Sequence, residues 1–442
     1  MKAKVKAKLL GSLFLGLVFV LSLTISARSG DKRDHEDKGQ DCVVSEHSEF
    51  NNSTPDQLVG AVSVPGANWA GFDIGWVDEA TEKYFVANSG APVNNPGSGA
   101  VEVLDAENDL IVGRITGFYG RLNPNPACAG PDGQGPNGVL VTPDDRLVVA
   151  DISNAGTGLV KVFNMAAALP PYGALTPLAT IPVGGTCRAD ELAYDPVHHI
   201  VLVGNPADTP DVSASFISLD TYSLLGKVTF PVAAYPKVSG IEQPVWDSQL
   251  HGGRFILNVP GVGLVVLNPT TEAIDTIYPL NNCTGTGLAL GPFQKLLVGC
   301  TGSGPLQIVN ALNGNVIAIT DIPNADEVWY DPGDNRFYAP SGAANGGFGE
   351  LGVIDAETNT DITPLPPARS GVRSVAAFSE NNHVFVIWGP PTAGAAPGTP
   401  GAADPCNTLF GLAANAGCIA IYTHESEAAE VEAQGRKNQD RH

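Results

Sequence analysis

The feature that most constrains this chain is a short pattern recurring seven times: an apolar run, a polar turn often containing Asp-Pro, and a second apolar run. The copies read DIGWVDEATEKYFVANSG from Asp73, NGVLVTPDDRLVVADIS from Asn137, DELAYDPVHHIVLVGNP from Asp190 and EQPVWDSQLHGGRFILNVPG from Glu242. They continue with TGLALGPFQKLLVGCTG from Thr286, DEVWYDPGDNRFYAPSG from Asp326 and SVAAFSENNHVFVIWGP from Ser374. Each copy predicts two antiparallel strands joined by a tight turn.

A loop and a third, alternating strand follow each copy, as in AVEVLDAEN, LVKVFN, SFISLDTYS, GLVVLNPTT, LQIVNALNG, ELGVIDAET and CIAIYT, and most copies add a shorter fourth such as AIDTIYP. A lone four-stranded sheet cannot bury both faces, so repeats of this size must stack on one another. The predicted fold is therefore all-β: one seven-bladed β-propeller, four antiparallel strands per blade. The last copy lacks a fourth strand, and QLVGAVSVPG, left over ahead of the first copy, supplies it. That pairing closes the last blade with the N-terminal strand and removes a free edge. The 51 Gly and 35 Pro of the chain agree with a turn-rich β protein.

The repeats GVIDAETNTDI, VEVLDAENDLIVGRI and LALGPFQKLLVGC resemble those of YVTN-type propellers and their lactonase-like and gluconolactonase-like relatives. The resemblance covers Gln57 to Thr423 and lies at the level of the repeat. It implies the propeller; because that architecture hosts lactonases, lyases and plain binding modules, it does not choose among them.

Outside the repeats, residues 1–27 carry four lysines ahead of an apolar run from Leu9 to Ile25, the layout of a secretory signal. An uncleaved anchor is the alternative, since the run is near the shortest that spans a bilayer. Residues 28–56 read as a charged flexible linker, 57–423 as the propeller and 424–442 as a disordered charged tail. No later segment is apolar enough to span a membrane, and the signal predicts a secreted, periplasmic or cell-surface protein. A net charge of −22 disfavours nucleic acid and anionic lipid as partners.

Seven cysteines in an exported chain predict disulfides with one thiol left over, and Cys42 in the linker is the odd one. No spacing fits a zinc site. Cys128 and Cys187 precede the second and third blades, Cys283 and Cys300 flank the fifth, and Cys406 and Cys418 bracket the final insertion. All six fall on the propeller face where chains enter the first strand and leave the second, so the expected pairs are 128–187, 283–300 and 406–418. The longest loops share that face, marking it for a small-molecule, glycan or protein ligand.

The residue five positions before the turn in each copy is Asp73, Asn137, Asp190, Glu242, Thr286, Asp326 or Ser374. All carry a side-chain oxygen. First strands line a propeller's channel, so these residues form a ring at one end of the shaft. Four converging carboxylates require raised pKa values, compensating arginines or a bound cation. Arg188 and Arg373, just upstream of two copies, are the candidate arginines. For a cation, Asp73, Asn137, Asp190, Glu242 and Asp326 are the candidate ligands, and an all-oxygen set fits one divalent ion, Ca2+ first. A water-filled, purely structural ring is the alternative. Glu191, Gln243 and Glu327, one residue on, should point elsewhere by strand alternation; a register error of one would put them in the ring instead.

His198, His199, His251 and His383 fall in turns on the far face and read as exposed. Trp76, Trp246, Trp329, Tyr194, Tyr330 and Phe378 read as packing between blades. Asn51, Asn52 and Asn282 head glycosylation acceptors if the source is eukaryotic. No Ser-His-Asp order or nucleophile elbow is present. The sequence thus points to an exported monomeric binding module with a cation site at the channel mouth. The competing reading is a metal-dependent lactonase- or esterase-like hydrolase, or a lyase, using the same ring.

Overall fold

The computed structural model describes residues 55–424, apart from 65–68, 70, 91–97, 122–127, 129–132, 169–172, 303, 343–348 and 366–371. The signal, almost all of the linker with Cys42, Asn51 and Asn52, and the tail beyond His424 lie outside the described residues.

Seven four-stranded antiparallel sheets follow one another along the chain. The first strands of blades 1 to 7 are Phe72–Asp78, Val139–Thr142, Leu192–Asp195, Pro244–Asp247, Thr284–Leu290, Trp329–Asp331 and Val375–Phe378. Each touches the first strands of the blades on either side, and the seventh touches the first, so they line one closed ring. Blade 7 is completed by Gln57–Val62, which runs antiparallel to Cys418–Thr423 with Gln57 opposite Thr423 and Val62 opposite Ile419. The expected closure is therefore formed.

Alternation along the strands sends one set of side chains to each neighbouring blade, and those faces make the core. Between blades 3 and 4, Phe216, Trp246 and Phe255 interlock with centroids 5.0 and 6.2 Å apart. At the seam between last and first blades, Tyr84 stacks on Phe385 at 5.0 Å. Trp246 and Phe378 pack between blades as expected. Trp76 and Trp329 do more: their rings meet edge to face at 5.7 Å although blade 7 separates blades 1 and 6. They meet across the front of blade 7, and so inside the shaft. A side chain on a first strand can face the channel as readily as a neighbour, which strand period alone does not distinguish.

The three disulfides form as paired from the sequence, Cys128–Cys187, Cys283–Cys300 and Cys406–Cys418, with Cα separations of 5.4, 5.1 and 5.9 Å. On the far face, His198, His199 and His383 each place Nδ1 on a nearby carboxylate, of Asp195, Asp220 and Asp109 respectively.

The closing strand has a second fastening. Asp56, immediately before it, accepts from Arg336 Nη1 at 2.6 Å and from Tyr338 Oη at 3.0 Å, both on the second strand of blade 6. Asp331, Asp334 and His424, which follows the Thr423 that pairs with Gln57, are buried in this clasp.

Candidate functional site at the channel mouth

The ring positions sit where the first strand of a blade gains one residue over its partner. In blade 3, Asp190 N–H donates to Gly204 O (2.9 Å) while Gly204 N–H donates to Glu191 O (3.0 Å), so two residues face one. Asn137 and Gly138 oppose Ala150 in the same way, and Glu242 and Gln243 oppose Asn258. In blades 1, 5 and 6 the register also slips by one residue across Asp73, Thr286 and Asp326. A β-bulge is thus built at the ring position of six blades. Bulges re-aim side chains and interrupt strict alternation.

That is why the two registers weighed from the sequence are not alternatives. Glu191 and Glu327 do not point elsewhere: both belong to the same charged centre as Asp73, Asp190, Glu242 and Asp326. Glu191 feels Glu242, Asp190, Glu327 and Asp73, and Glu327 shares a hydrogen bond with Asp73. Gln243 also turns inward along the ring, its Oε1 accepting from Leu288 N–H at 2.8 Å.

The neutral ring members do a different job from the charged ones. Asn137 Nδ2 donates to Ala189 O (3.2 Å), Thr286 Oγ1 to Ala325 O (3.1 Å) and Ser374 Oγ to Asp73 O (2.8 Å). Each therefore ties its blade to the backbone of the next, beside the aspartate that blade contributes. Asn137, proposed from the sequence as a metal ligand, spends its amide nitrogen on this seam and keeps Oδ1 buried without a partner among the described residues.

Both arginines are in the site. Arg188 Nη1 bridges Asp190 at 2.7 Å and Asp73 at 3.1 Å. Arg373 donates to Phe72 O and lies 5.1 Å from the centre of the Phe72 ring; although burial opposes its charge, Asp73, Asp326 and Glu327 raise its pKa. Two guanidinium groups do not balance six acidic side chains. Burial pushes the Asp190 carboxyl up to about 7, with Asp73 and Asp326 adding to the effect against Arg188. Burial followed by the neighbouring carboxylates drives Glu191, Glu242 and Glu327 well above the usual range, and Asp326 moves in the same direction.

Glu191 Oε2 and Glu327 Oε1 are left with no hydrogen-bond partner among the described residues, on side chains only 5% and 3% exposed. Unsatisfied buried oxygens of this kind cost free energy unless something donates to them. Among the described residues, no three acidic, His or Cys side chains already stand at metal-ligating positions. Within the described residues, arginines and raised carboxyl pKa values offset the ring's charge.

No family model matches the chain, and no curated protein does. Solved propellers do. The WD40 propeller domain of Doa1 superposes with a TM-score of 0.55 at 10% identity, the match covering 84% of this chain and 97% of that one. A chain of a mitotic checkpoint complex gives 0.55 at 13% identity, covering 92% and 99%. At such identities the likeness establishes the all-β, seven-bladed propeller and nothing about the site.

Proposed function

We propose that this protein is an exported binding module whose anionic channel mouth takes one divalent cation, Ca2+ by preference, beneath a stapled face that receives the partner. The observation that carries the reading is the pair of buried, unpartnered oxygens on Glu191 and Glu327 inside a ring with more carboxylates than arginines. An all-oxygen donor set suits a hard ion. Because Arg188 holds Asp73 and Asp190, the donors left for an ion are Glu191, Glu242, Asp326 and Glu327. Export is supported by the N-terminal layout and by three disulfides, which persist in oxidising compartments. No helix among the described residues is long and apolar enough to cross a membrane. The wording of the repeats supports kinship with YVTN-type propellers, and the WD40 likeness supports an interaction role.

Metal analysis of the purified protein, with thermal melts in calcium and in chelator, tests the reading. Calcium should raise the melting temperature in wild type and not in a Glu191→Gln, Glu327→Gln double variant. If no metal copurifies and calcium leaves both melts unchanged, the cation site is wrong.

One observation favours a catalytic second reading: a carboxyl near neutrality, Asp190, held against Arg188, has the pKa expected of a general acid or base. Turnover in a screen of lactones and esters, lost in Asp190→Asn, would support it.

A further inference from the structure

On the stapled face, between blades 4 and 5, lies a cleft of 720 Å³. Its size falls in the range of small-molecule sites. In a chain carrying −22 charges, this cleft has no Asp or Glu among its described lining residues, and the one charged residue among them is Lys237. Asn282, Thr284 and Thr301 add an amide and two hydroxyls, groups that both donate and accept. Among the described residues no aromatic ring lines it, so they offer no stacking platform.

The walls are fixed before any ligand arrives. The Gly261 backbone presses on the Lys237 carbonyl and that of Gly304 on the Asn282 carbonyl, each so closely that a Cβ would collide. Ser239 N–H donates to Pro260 O at 3.1 Å, and the Cys283–Cys300 disulfide pins the blade 5 side. A preformed pocket has little ordering cost to offset on binding.

We propose that this cleft binds a small hydroxylated anion, such as a sugar ring bearing one carboxylate: Lys237 pairs with the carboxylate, and Asn282, Thr284 and Thr301 meet the hydroxyls. The inference rests on taking the stapled face as the binding face, and it does not need the cation ring.

The test is titration of the full chain with glucuronate, glucose and glucosamine, followed by ligand-observed NMR. These probes carry negative, no and positive charge on similar rings. The protein should be made without N-glycosylation, because Asn282 heads an Asn-Cys-Thr acceptor at the cleft. Glucuronate should bind best and glucosamine not at all. Lys237→Ala should weaken glucuronate by about tenfold or more, the loss expected for one charged hydrogen bond, and Lys237→Arg should restore most of it. Thr284→Trp, at an exposed residue of the lining, should fill the cleft and abolish binding. Absent glucuronate binding, equal binding of glucosamine, or an undiminished Lys237→Ala or Thr284→Trp variant overturns the proposal. A calcium melt run in parallel reports on the ring alone, so either idea can fail without the other.

Discussion

The channel mouth and the closure clasp are built from the same materials, buried carboxylates around arginine, in different places in the fold. In the clasp, Arg336 is fully buried and faces Asp56 at 2.6 Å, with Asp334 at 3.8 Å and Asp331 close by; the Tyr338 hydroxyl lies within hydrogen-bond distance of both Asp56 and Asp334. It joins segments 280 residues apart and fastens the strand that closes the ring. At the mouth, six acidic side chains surround two arginines, two carboxylate oxygens are left over, and the face above is fastened covalently. Both sites carry three acidic side chains per arginine, and both leave two carboxylate oxygens without a hydrogen-bond partner among the described residues, Glu191 Oε2 and Glu327 Oε1 at the mouth and Asp331 Oδ2 and Asp334 Oδ1 in the clasp. What separates them is position, since the clasp fastens the strand that closes the ring and the mouth opens beneath the stapled loops.

The sharpest break of the comparison is Arg336→Met. It strands three carboxylates without a cation and should cost about 3–5 kcal/mol in urea unfolding, the range for removing one partner of a buried pair. A loss under about 1 kcal/mol would mean the clasp is not what closes the ring. Replacing Cys283 and Cys300 by alanine should cost about 3 kcal/mol, as expected for a loop of this length. Hydrogen exchange should then rise in blade 5 and stay unchanged in Gln57–Val62. Calcium at a hundredfold excess over its Kd should stabilise by about 2.7 kcal/mol through the mouth alone. Arg336→Met should therefore leave that increment intact, and the Glu191→Gln, Glu327→Gln pair should erase it.

The smallest effect is the pH response of the clasp. Burial raises the Asp331 carboxyl from 3.8 to about 7, and Asp56 and Asp334 move the same way. Raised carboxyl pKa values give stability that is fully present below the unfolded value and is lost as pH climbs through the folded one. His424 opposes them: burial, aided by Arg336, lowers it from 6.5 to about 4, so its contribution is present above 6.5 and is lost as pH falls through 4. Exchange protection of the Gln57–Val62 amides, corrected for intrinsic rates, should fall from pH 4 to pH 7, and more steeply in His424→Phe. A flat or rising profile would contradict the clasp geometry.

Much of this was legible in the residues. Seven copies of one strand-turn-strand pattern required blades. The missing last strand named its replacement, and placing the six cysteines on one face, in the same or adjacent blades, was enough to pair them. The ring positions could be read because one oxygen-bearing residue recurs at a fixed distance from a turn. Glu191 and Glu327 were misassigned by strand alternation, although an acidic residue directly following a ring acid in blades 3 and 6 was a visible signal. The bulge that turns them inward is a mismatch between two strands and leaves no mark in either alone. The division between stitching members, Asn137, Thr286 and Ser374, and charged ones was likewise hidden, because the acceptors are backbone carbonyls of the next blade.

The sequence by itself determined the strands, the turns, the blade count and which residue types reach the mouth of the channel, because alternation and turn chemistry act over a few neighbouring residues. Only the tertiary structure decided how those charges meet: Arg188 between Asp73 and Asp190, Trp76 against Trp329, and Asp56 on Arg336. Apart from the Arg188–Asp190 contact, local in the chain, each pairing joins residues of different blades. The surroundings of these buried carboxylates, which guanidinium and which other acids stand beside them, are set when the blades assemble into the ring.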